Sequence, residues 1–184
     1  MALFTGKGDN GTTKTFGCDQ RISKSSNIAE ALGSLDETNS FLGLVKVESD
    51  ILKFNFRDKS FKNIVHDIQE NLFIVQAELA GADKHITEEK VKAAEEIINA
   101  IEKELPPIKT FFISGGSRLA ALFDISRTFA RRAERRVVGV NDENLQKISP
   151  NTLAYLNRLS SLLYALARLS NHLSGIQEKA PDYK

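Results

Sequence analysis

Residues 5–15, TGKGDNGTTKT, combine residue types that bind phosphate. Three glycines fall within six positions, at Gly6, Gly8 and Gly11. Glycine allows positive φ and a close approach of the backbone to a ligand, and successive N–H groups in such turns bind anions. The lysines and threonines between the glycines add further donors. The segment is therefore a candidate phosphate-binding loop, and a loop without fixed structure is the alternative that composition leaves open.

Two familiar phosphate motifs overlap in this loop, and neither fits. Gly6 to Gly11 match G-x-G-x-x-G, but that motif needs a strand before it and a β-α-β unit around it. No such alternation follows in the sequence. Gly6 to Thr13 resemble a P-loop, but Thr12 stands where the phosphate-binding lysine belongs. Any cationic help for a phosphate must come from elsewhere in the chain.

A second segment, SRTFARRAERRVV, supplies that charge. Five arginines fall between Arg127 and Arg136, and Arg127, Arg131, Glu134 and Arg135 share one stripe of a helix. The planar, permanently charged guanidinium suits phosphate, and Glu134 could orient the arginines or reach a metal ion or a hydroxyl. Two alternatives stay open: a solvated face of Glu–Arg pairs, and an RNA-binding helix. The net charge of +1 argues against RNA.

Polar residues near two apolar stripes are further candidates. Asp36 and Asn39 share a face with Leu32, so we expect a buried carboxylate that needs a partner, and Arg127 is a candidate. Asn157 shares a stripe with Tyr164. Its amide is either a structural core group or a pocket group that holds a ribose, a purine or a phosphate-bound metal.

No set of residues suggests a protein nucleophile or a metal cluster. The three histidines lie in different segments without ligand spacing, and no Ser-His-Asp or Cys-His set is apparent. We expect surface or capping histidines and no metal site made by the protein alone. If the chain is an enzyme, its nucleophile belongs to a substrate.

The elements that position these residues are predicted to be helices. Glycine and proline are scarce after residue 20, and apolar residues recur at three- and four-residue steps. The pattern predicts five helices, at about 26–49, 59–82, 88–105, 117–140 and 150–174, and leaves one short strand-like stretch, 110–113. Short loops between long helices predict an all-α, up-and-down five-helix bundle. We expect one domain, with an N-terminal segment 1–25, a bundle 26–175 and a frayed tail 176–184.

Composition bounds the class of protein. The 184 residues are 41% hydrophobic and 27% charged, an ordinary balance for a globular chain. The near-neutral charge gives no global attraction to nucleic acid or membrane. The single cysteine, Cys18, excludes an internal disulfide, and neither a secretory signal nor a spanning run is apparent. We expect a cytoplasmic protein.

Taken together, the motifs resemble those of the PduO-type ATP:cob(I)alamin adenosyltransferases. The matches run in order along the chain: T-x-x-G-D-x-G-x-T at 5–13, a basic stretch ending in lysine at 21–24, G-x-L-D-E-x-N-S at 33–40, F-x-x-x-G-G-S at 111–117, R-x-x-x-R-R-A-E-R at 127–135 and Y-L-N-R-L-S at 155–160. Each is weak alone, and the ordered set is specific. Two positions depart from the family, Ser114 where proline is common and Asp124 where histidine is frequent.

The resemblance implies a ferritin-like bundle that assembles as a homotrimer with active sites between subunits. It implies Mg²⁺ and two substrates, ATP and cobalamin. The implied ATP contacts are Thr5, Gly6, Lys7, Gly8, Thr13, Lys24, Arg131, Glu134, Arg135 and Asn157. Asp36 and Arg127 would form an ion pair across the subunit boundary, and Phe111 would close the lower face of the corrin.

The implied reaction transfers the 5′-deoxyadenosyl group of ATP to the cobalt of cob(I)alamin and releases triphosphate. A reductase and an adenosylcobalamin-dependent enzyme are the implied protein partners. The alternative function is a non-catalytic helical oligomer that binds ATP and signals to a partner.

Overall fold

Five long helices form the body of the molecule in the computed structural model, which describes residues 3–15 and 20–183. Cys18 and Lys184 therefore lie outside the described residues. The helices are α1 (Asn27–Leu52), α2 (Phe61–Leu79), α3 (Glu88–Glu104), α4 (Arg118–Asp142) and α5 (Pro150–Leu173). The predicted all-α bundle is confirmed, and its helix boundaries differ from the prediction by at most a few residues.

Serine caps fix where four of these helices begin. The side chains of Ser26, Ser60, Ser117 and Ser149 each accept a backbone N–H from the first turn of the helix that follows. Such caps satisfy donors that have no partner inside the helix. At the other end of α5, Gly175 takes a φ of +67° and closes the helix, as predicted.

The helices pack with α1 between α2 and α4, and with α5 between α4 and α3. The predicted apolar stripe of α2 is buried along its length, from Ile64 to Leu79. On the other side of the core, the hydroxyl of Tyr155 in α5 accepts a hydrogen bond of 3.1 Å from the amide of Asn71 in α2. This bond joins helices that are not direct neighbours, so the core is continuous across the bundle.

Two small hairpins are the part of the fold that periodicity missed. β1 (Thr12–Lys14) pairs antiparallel with β2 (Arg21–Ser23), and β3 (Asn55–Phe56) pairs with β4 (Lys59–Ser60). The prediction of a strand-like stretch at 110–113 was wrong, because these residues form an irregular loop. Strands of two or three residues are too short for alternation to reveal them.

The C-terminal segment is held rather than frayed, at least as far as Lys179. The carboxylate of Glu178 accepts a hydrogen bond from Arg168 of α5, and the carbonyl of Lys179 accepts one from the N–H of Ile113. The segment therefore lies against the loop that joins α3 to α4. In the part of the chain that the structure describes, no helix has the length and apolar character to cross a bilayer.

Candidate functional site

The N-terminal loop is an ordered series of turns. The N–H of Asp9 donates to the carbonyl of Gly6, and the N–H of Gly11 donates to that of Gly8, both at 3.1 Å. Gly6 and Gly11 take φ of +66° and +78°, values that favour glycine. The loop continues into β1, where Thr13 pairs with Ile22. The alternative of a loop without fixed structure is thus not what the structure shows.

Lys24 brings a positive charge to this loop. Its N–H donates to the carbonyl of Gly11 at 2.9 Å, which closes the hairpin. Its ammonium lies 3.2 Å from the position that a Cβ on Gly8 would occupy. Arg21 fixes the same hairpin by donating to the hydroxyl and the carbonyl of Thr12. The backbone and the cation that the sequence predicted for a phosphate site therefore lie together.

The arginines of α4 divide into paired and unpaired groups. Arg132 forms an ion pair with Glu37 of α1, and its guanidinium lies 5.1 Å from the ring centre of Phe129. Arg131 and Arg135 are exposed and have no ion-pair partner among the described residues. Glu134 is half-buried and likewise makes no such pair. The expected alternative of a face fully laced with Glu–Arg pairs does not hold at these positions.

A cavity of about 520 Å³ opens beside this cationic stripe, between α4, α5 and the loop before α4. Its walls combine apolar, hydroxyl and cationic groups: Ile108, Thr110, Phe111, Phe112, Ser114, Arg127, Arg131, Ser160, Ser161 and Tyr164. Burial raises the pKa of the Tyr164 phenol, so this hydroxyl stays protonated near neutral pH. Phe111 and Arg127, predicted from separate motifs, meet here.

Phe111 is presented to solvent instead of to the core. Its side chain is 79% exposed, whereas the next residue, Phe112, lies under the guanidinium of Arg168 at 5.2 Å. Arg168 is buried, and it donates to the carbonyl of Pro106 and to the carboxylate of Glu178. Arg168 therefore holds the loop through Pro106 and Phe112, and the side chain of Phe111 stays accessible to a ligand.

The glycine turn that ends this loop is held by one amide of α5. Asn171 donates to the carbonyl of Gly115 and accepts from the N–H of Ser117, both at 2.8 Å. Gly115 and Gly116 take φ of +109° and +105°. Sequence reasoning missed Asn171 and Arg168 as supports of the site. The signal that would have found them is the position of these two polar residues among the apolar residues of the last turns of α5.

Arg127 does not pair with Asp36 within one chain, contrary to the partner suggested from the sequence. Its Nε lies 3.5 Å from a carboxylate oxygen of Asp124, one helical turn earlier. Asp36 is exposed on α1 instead of buried. The expectation of burial failed because Asp36 lies one residue past the inward-facing Leu35, where the helix has turned away from the core.

Asn157 is also exposed, so it is not a core asparagine. Its carbonyl accepts a hydrogen bond from the hydroxyl of Ser160, and Ser160 lines the cavity. The amide of Asn157 thus remains available on the surface of α5. For residues 5–13, no hydrogen bond or ion pair to α4 or α5 forms within one chain.

Metal ligands are sparse. Across residues 3–15 and 20–183, no group of three or more His, Cys, Asp or Glu side chains converges as metal ligands would. His66, His85 and His172 are exposed, as expected for surface histidines. Glu134 is a carboxylate without an ion-pair partner beside the arginines. Such a single carboxylate next to bound phosphates fits Mg²⁺, which usually takes one or two protein carboxylates and completes its shell with phosphate oxygens and water.

Comparison with known proteins defines the class. The sequence profile described as cobalamin adenosyltransferase matches residues 3–170. A corrinoid adenosyltransferase from Bacillus subtilis (strain 168) is 40% identical over 180 residues, covering 96% of this chain and 90% of that protein. The corrinoid adenosyltransferase PduO of Citrobacter freundii is 36% identical over 179 residues, and the match spans 50% of its length.

Solved structures agree with this result. A variant PduO-type ATP:corrinoid adenosyltransferase from Lactobacillus reuteri, complexed with cobalamin and ATP, superposes with a TM-score of 0.88 at 29% identity, covering 99% of this chain and 97% of that one. Another variant of that enzyme, complexed with ATP, gives a TM-score of 0.85. The fold and the site thus define a transferase built on a helical bundle. The chain belongs to the cobalamin adenosyltransferase family.

Proposed function

We propose that this protein transfers the 5′-deoxyadenosyl group of ATP to the cobalt of cob(I)alamin, giving adenosylcobalamin and triphosphate. The observation that carries the proposal is the meeting of Phe111, Arg127 and Arg131 around one cavity of about 520 Å³. The lining of this cavity combines apolar side chains with Arg131, which has no ion-pair partner among the described residues. The family to which the chain belongs performs this chemistry, as the description of its matching profile indicates.

The triphosphate is bound by two half-sites. One is the loop with Thr5, Gly6, Lys7, Gly8 and Thr13 together with Lys24, whose ammonium already lies over Gly8. The other is the stripe of Arg131, Glu134 and Arg135, with Asn157 beside it on α5. Because no hydrogen bond or ion pair joins residues 5–13 to α4 or α5 within one chain, we infer that the two half-sites come from neighbouring subunits.

A homotrimer satisfies this requirement, since a closed ring gives each loop a neighbouring arginine stripe. In that assembly Asp36 of one subunit pairs with Arg127 of the next. Both side chains can be reached for this role, because Asp36 is exposed and the Arg127 side chain is 27% exposed on the cavity wall. An exposed apolar stripe on α1, made by Leu44, Val47 and Ile51, also favours a partner for that helix.

The reaction needs no nucleophile from the protein. Co(I) supplies the electron pair of the new cobalt–carbon bond at C5′, and the C5′–O bond breaks with its electrons passing to the triphosphate. The protein positions the two substrates, an effect worth roughly 7–11 kcal/mol in well-oriented reactions. Lys24, Arg131 and the loop N–H groups stabilise the charge that gathers on the leaving group. Mg²⁺, held by phosphate oxygens and Glu134, would add further charge neutralisation.

On the corrin side, Phe111 occupies the lower face and excludes an axial ligand there. Loss of that electron-donating ligand makes Co(II) easier to reduce to Co(I). Arg127, over the ring of Tyr164 at 5.9 Å, fixes the edge of the same cavity. A reductase that delivers the electron and an adenosylcobalamin-dependent enzyme that accepts the product are the partners we propose, in the cytoplasm.

The decisive experiment mixes the purified protein with ATP, Mg²⁺ and chemically reduced cobalamin, and follows the absorption spectrum. We expect conversion to the spectrum of adenosylcobalamin, with one triphosphate released for each corrinoid converted. ATP binding without conversion would contradict the proposed transfer and favour the non-catalytic sensor. Binding of RNA that weakens steeply with salt would instead favour the nucleic-acid alternative.

A further inference from the structure

Asp124 lies between the loop that precedes α4, which carries Phe111, and the arginine stripe of α4. It is the seventh residue of α4, at the end of the second turn, and only 9% of the residue is exposed. One carboxylate oxygen, Oδ2, accepts the N–H of Gly115 at 3.0 Å. The other, Oδ1, lies 3.5 Å from Nε of Arg127. The buried side chain of Asp124 therefore contacts both the glycine turn that follows Phe111 and the guanidinium of Arg127, which lines the cavity.

The contact with Gly115 restrains the loop. Gly115 and Gly116 both take positive φ. Glycine adopts positive and negative φ about equally well, so a turn without further contacts would not be held in this one conformation. Asp124 holds the N–H of Gly115, while Asn171 holds its carbonyl. Phe111 lies four residues before this turn. The position of its exposed ring therefore depends on a turn that is fixed from both sides.

The contact with Arg127 supplies its negative partner. Nε of Arg127 is buried and makes no hydrogen bond within the described residues. The guanidinium lies over the ring of Tyr164 at 5.9 Å, and its Nε lies 3.5 Å from the Asp124 carboxylate. Without that carboxylate, the half-buried Arg127 would lose its ion-pair partner within the described residues, and a cation taken partly out of water is costly to leave unpaired. The carboxylate therefore sets the direction in which Arg127 enters the cavity.

We propose that Asp124 is the positioning residue of the corrin side of this site: one oxygen fixes the turn that presents Phe111, and the other orients Arg127. This inference rests on the proposed adenosyl transfer. Asp124 does not itself line the cavity, so its effect on the corrinoid passes through these two neighbours.

Two substitutions distinguish the roles of the two carboxylate oxygens of Asp124. Asp124→Asn keeps an amide oxygen for the N–H of Gly115 but removes the charge that faces Arg127. Asp124→Ala removes both. The matched control is Asp67→Ala. Asp67 is on α2 and forms an exposed ion pair with Lys59 of β4, which this substitution breaks. Each variant is checked for helical content, then assayed for kcat, for KM of ATP and of cob(I)alamin, and for the absorption spectrum of bound cob(II)alamin in the presence of ATP.

We expect both Asp124 variants to raise KM for cob(I)alamin by about 10-fold, a loss between those typical of an exposed and of a buried ion pair, with KM for ATP unchanged. The spectral change that accompanies loss of the lower ligand should persist in Asp124→Asn and disappear in Asp124→Ala. Asp67→Ala should match the wild type throughout.

Identical spectra for the two variants, equal rises in both KM values, or wild-type kinetics would overturn the assignment of Asp124. If Asp124→Ala does not fold, Asp124→Asn alone decides: a wild-type KM for cob(I)alamin overturns the inference. Failure of the wild-type protein to adenosylate cobalamin would instead contradict the proposed function, so the two failures are distinguishable.

Discussion

The ammonium of Lys24 lies over Gly8, 3.2 Å from the position of a Cβ on that glycine. Gly8 does not need positive φ, unlike Gly6 and Gly11. Its role is therefore to leave room above the backbone for the ammonium of Lys24 and, in the proposed triphosphate site, for a phosphate oxygen. The same would-be Cβ also lies 3.1 Å from the carbonyl of Thr12, so the loop has little freedom to adjust.

This relationship predicts the effect of Gly8→Ala. The added methyl group should displace Lys24 and raise KM for ATP by about 10-fold, as expected when one charge-assisted contact is lost. A double-mutant cycle with Lys24→Ala tests the cause, since contacting residues are not additive. Gly8→Ala should have a much smaller effect when Lys24 is already absent. Full additivity in steady-state ATP kinetics would contradict the displacement of Lys24.

Arg131→Ala should impair the use of ATP while the helical fold survives. Arg131 is exposed and unpaired among the described residues, so its removal costs little stability, but it removes a charged donor from the leaving group. We expect a fall of about 10²-fold or more in kcat/KM for ATP. Arg118→Ala is the matched control, because Arg118 is on the same helix but pairs with Glu48 of α1. Equal activities of the two variants would refute the assignment of Arg131.

Asp36→Asn should disturb assembly or corrinoid use. The proposed ion pair with Arg127 of the neighbouring subunit would lose its charge, so we expect a weaker trimer, a higher KM for cob(I)alamin, or both. Sedimentation across a range of protein concentrations measures the first, and steady-state kinetics measure the second. Asp50→Asn serves as the control, since Asp50 is on the same helix in an exposed pair with Lys62. An unchanged trimer with unchanged kinetics would rule out the ion pair between subunits.

Gly116→Ala should be more harmful than Gly115→Ala. Both residues take positive φ, so alanine strains the backbone at either position, by roughly 1–2 kcal/mol. A Cβ at Gly116 would also clash with the amide of Asn171, with Cγ at 2.9 Å, whereas a Cβ at Gly115 meets nothing within 4 Å. Thermal unfolding of the two variants measures the difference. Equal melting temperatures for the two variants would show that the Asn171 side chain can move aside without a loss of stability.

The buried phenol of Tyr155 predicts a loss of stability at high pH. Burial raises its pKa in the folded protein, while the unfolded chain titrates near 10. Between these two pKa values the unfolded state has lost the proton and the folded state keeps it. The free energy of unfolding should therefore fall by about 1.4 kcal/mol per pH unit above pH about 10.

Chemical denaturation at several pH values checks this effect. Tyr155→Phe should be less stable near neutral pH, because the hydrogen bond from Asn71 is lost, but it should lack the additional decline at high pH. Tyr183→Phe is the control, since Tyr183 is 82% exposed. A decline of the same slope in Tyr155→Phe would show that other groups cause it.

The helices could be predicted from the sequence because they depend on local patterns, and the candidate site residues were proposed from short motifs of the same local kind. Apolar spacing on α2 and the serine caps depend only on residues a few positions apart. The glycine loop, the arginine stripe and Phe111 each belong to a short motif. The hairpin β1–β2 could not be predicted in this way, because its strands are short and its support comes from Arg21 and Lys24 in the second strand and just after it.

The sequence by itself determined which chemistry the chain can perform, since phosphate-binding loops and guanidinium groups are properties of residue types and spacing. Only the tertiary structure decided which groups meet. It placed Asp124, not Asp36, beside Arg127, exposed Asn157, and formed no hydrogen bond or ion pair between residues 5–13 and α4 within one chain. These outcomes depend on how whole helices rotate and pack around the shared core, which no short window of sequence specifies.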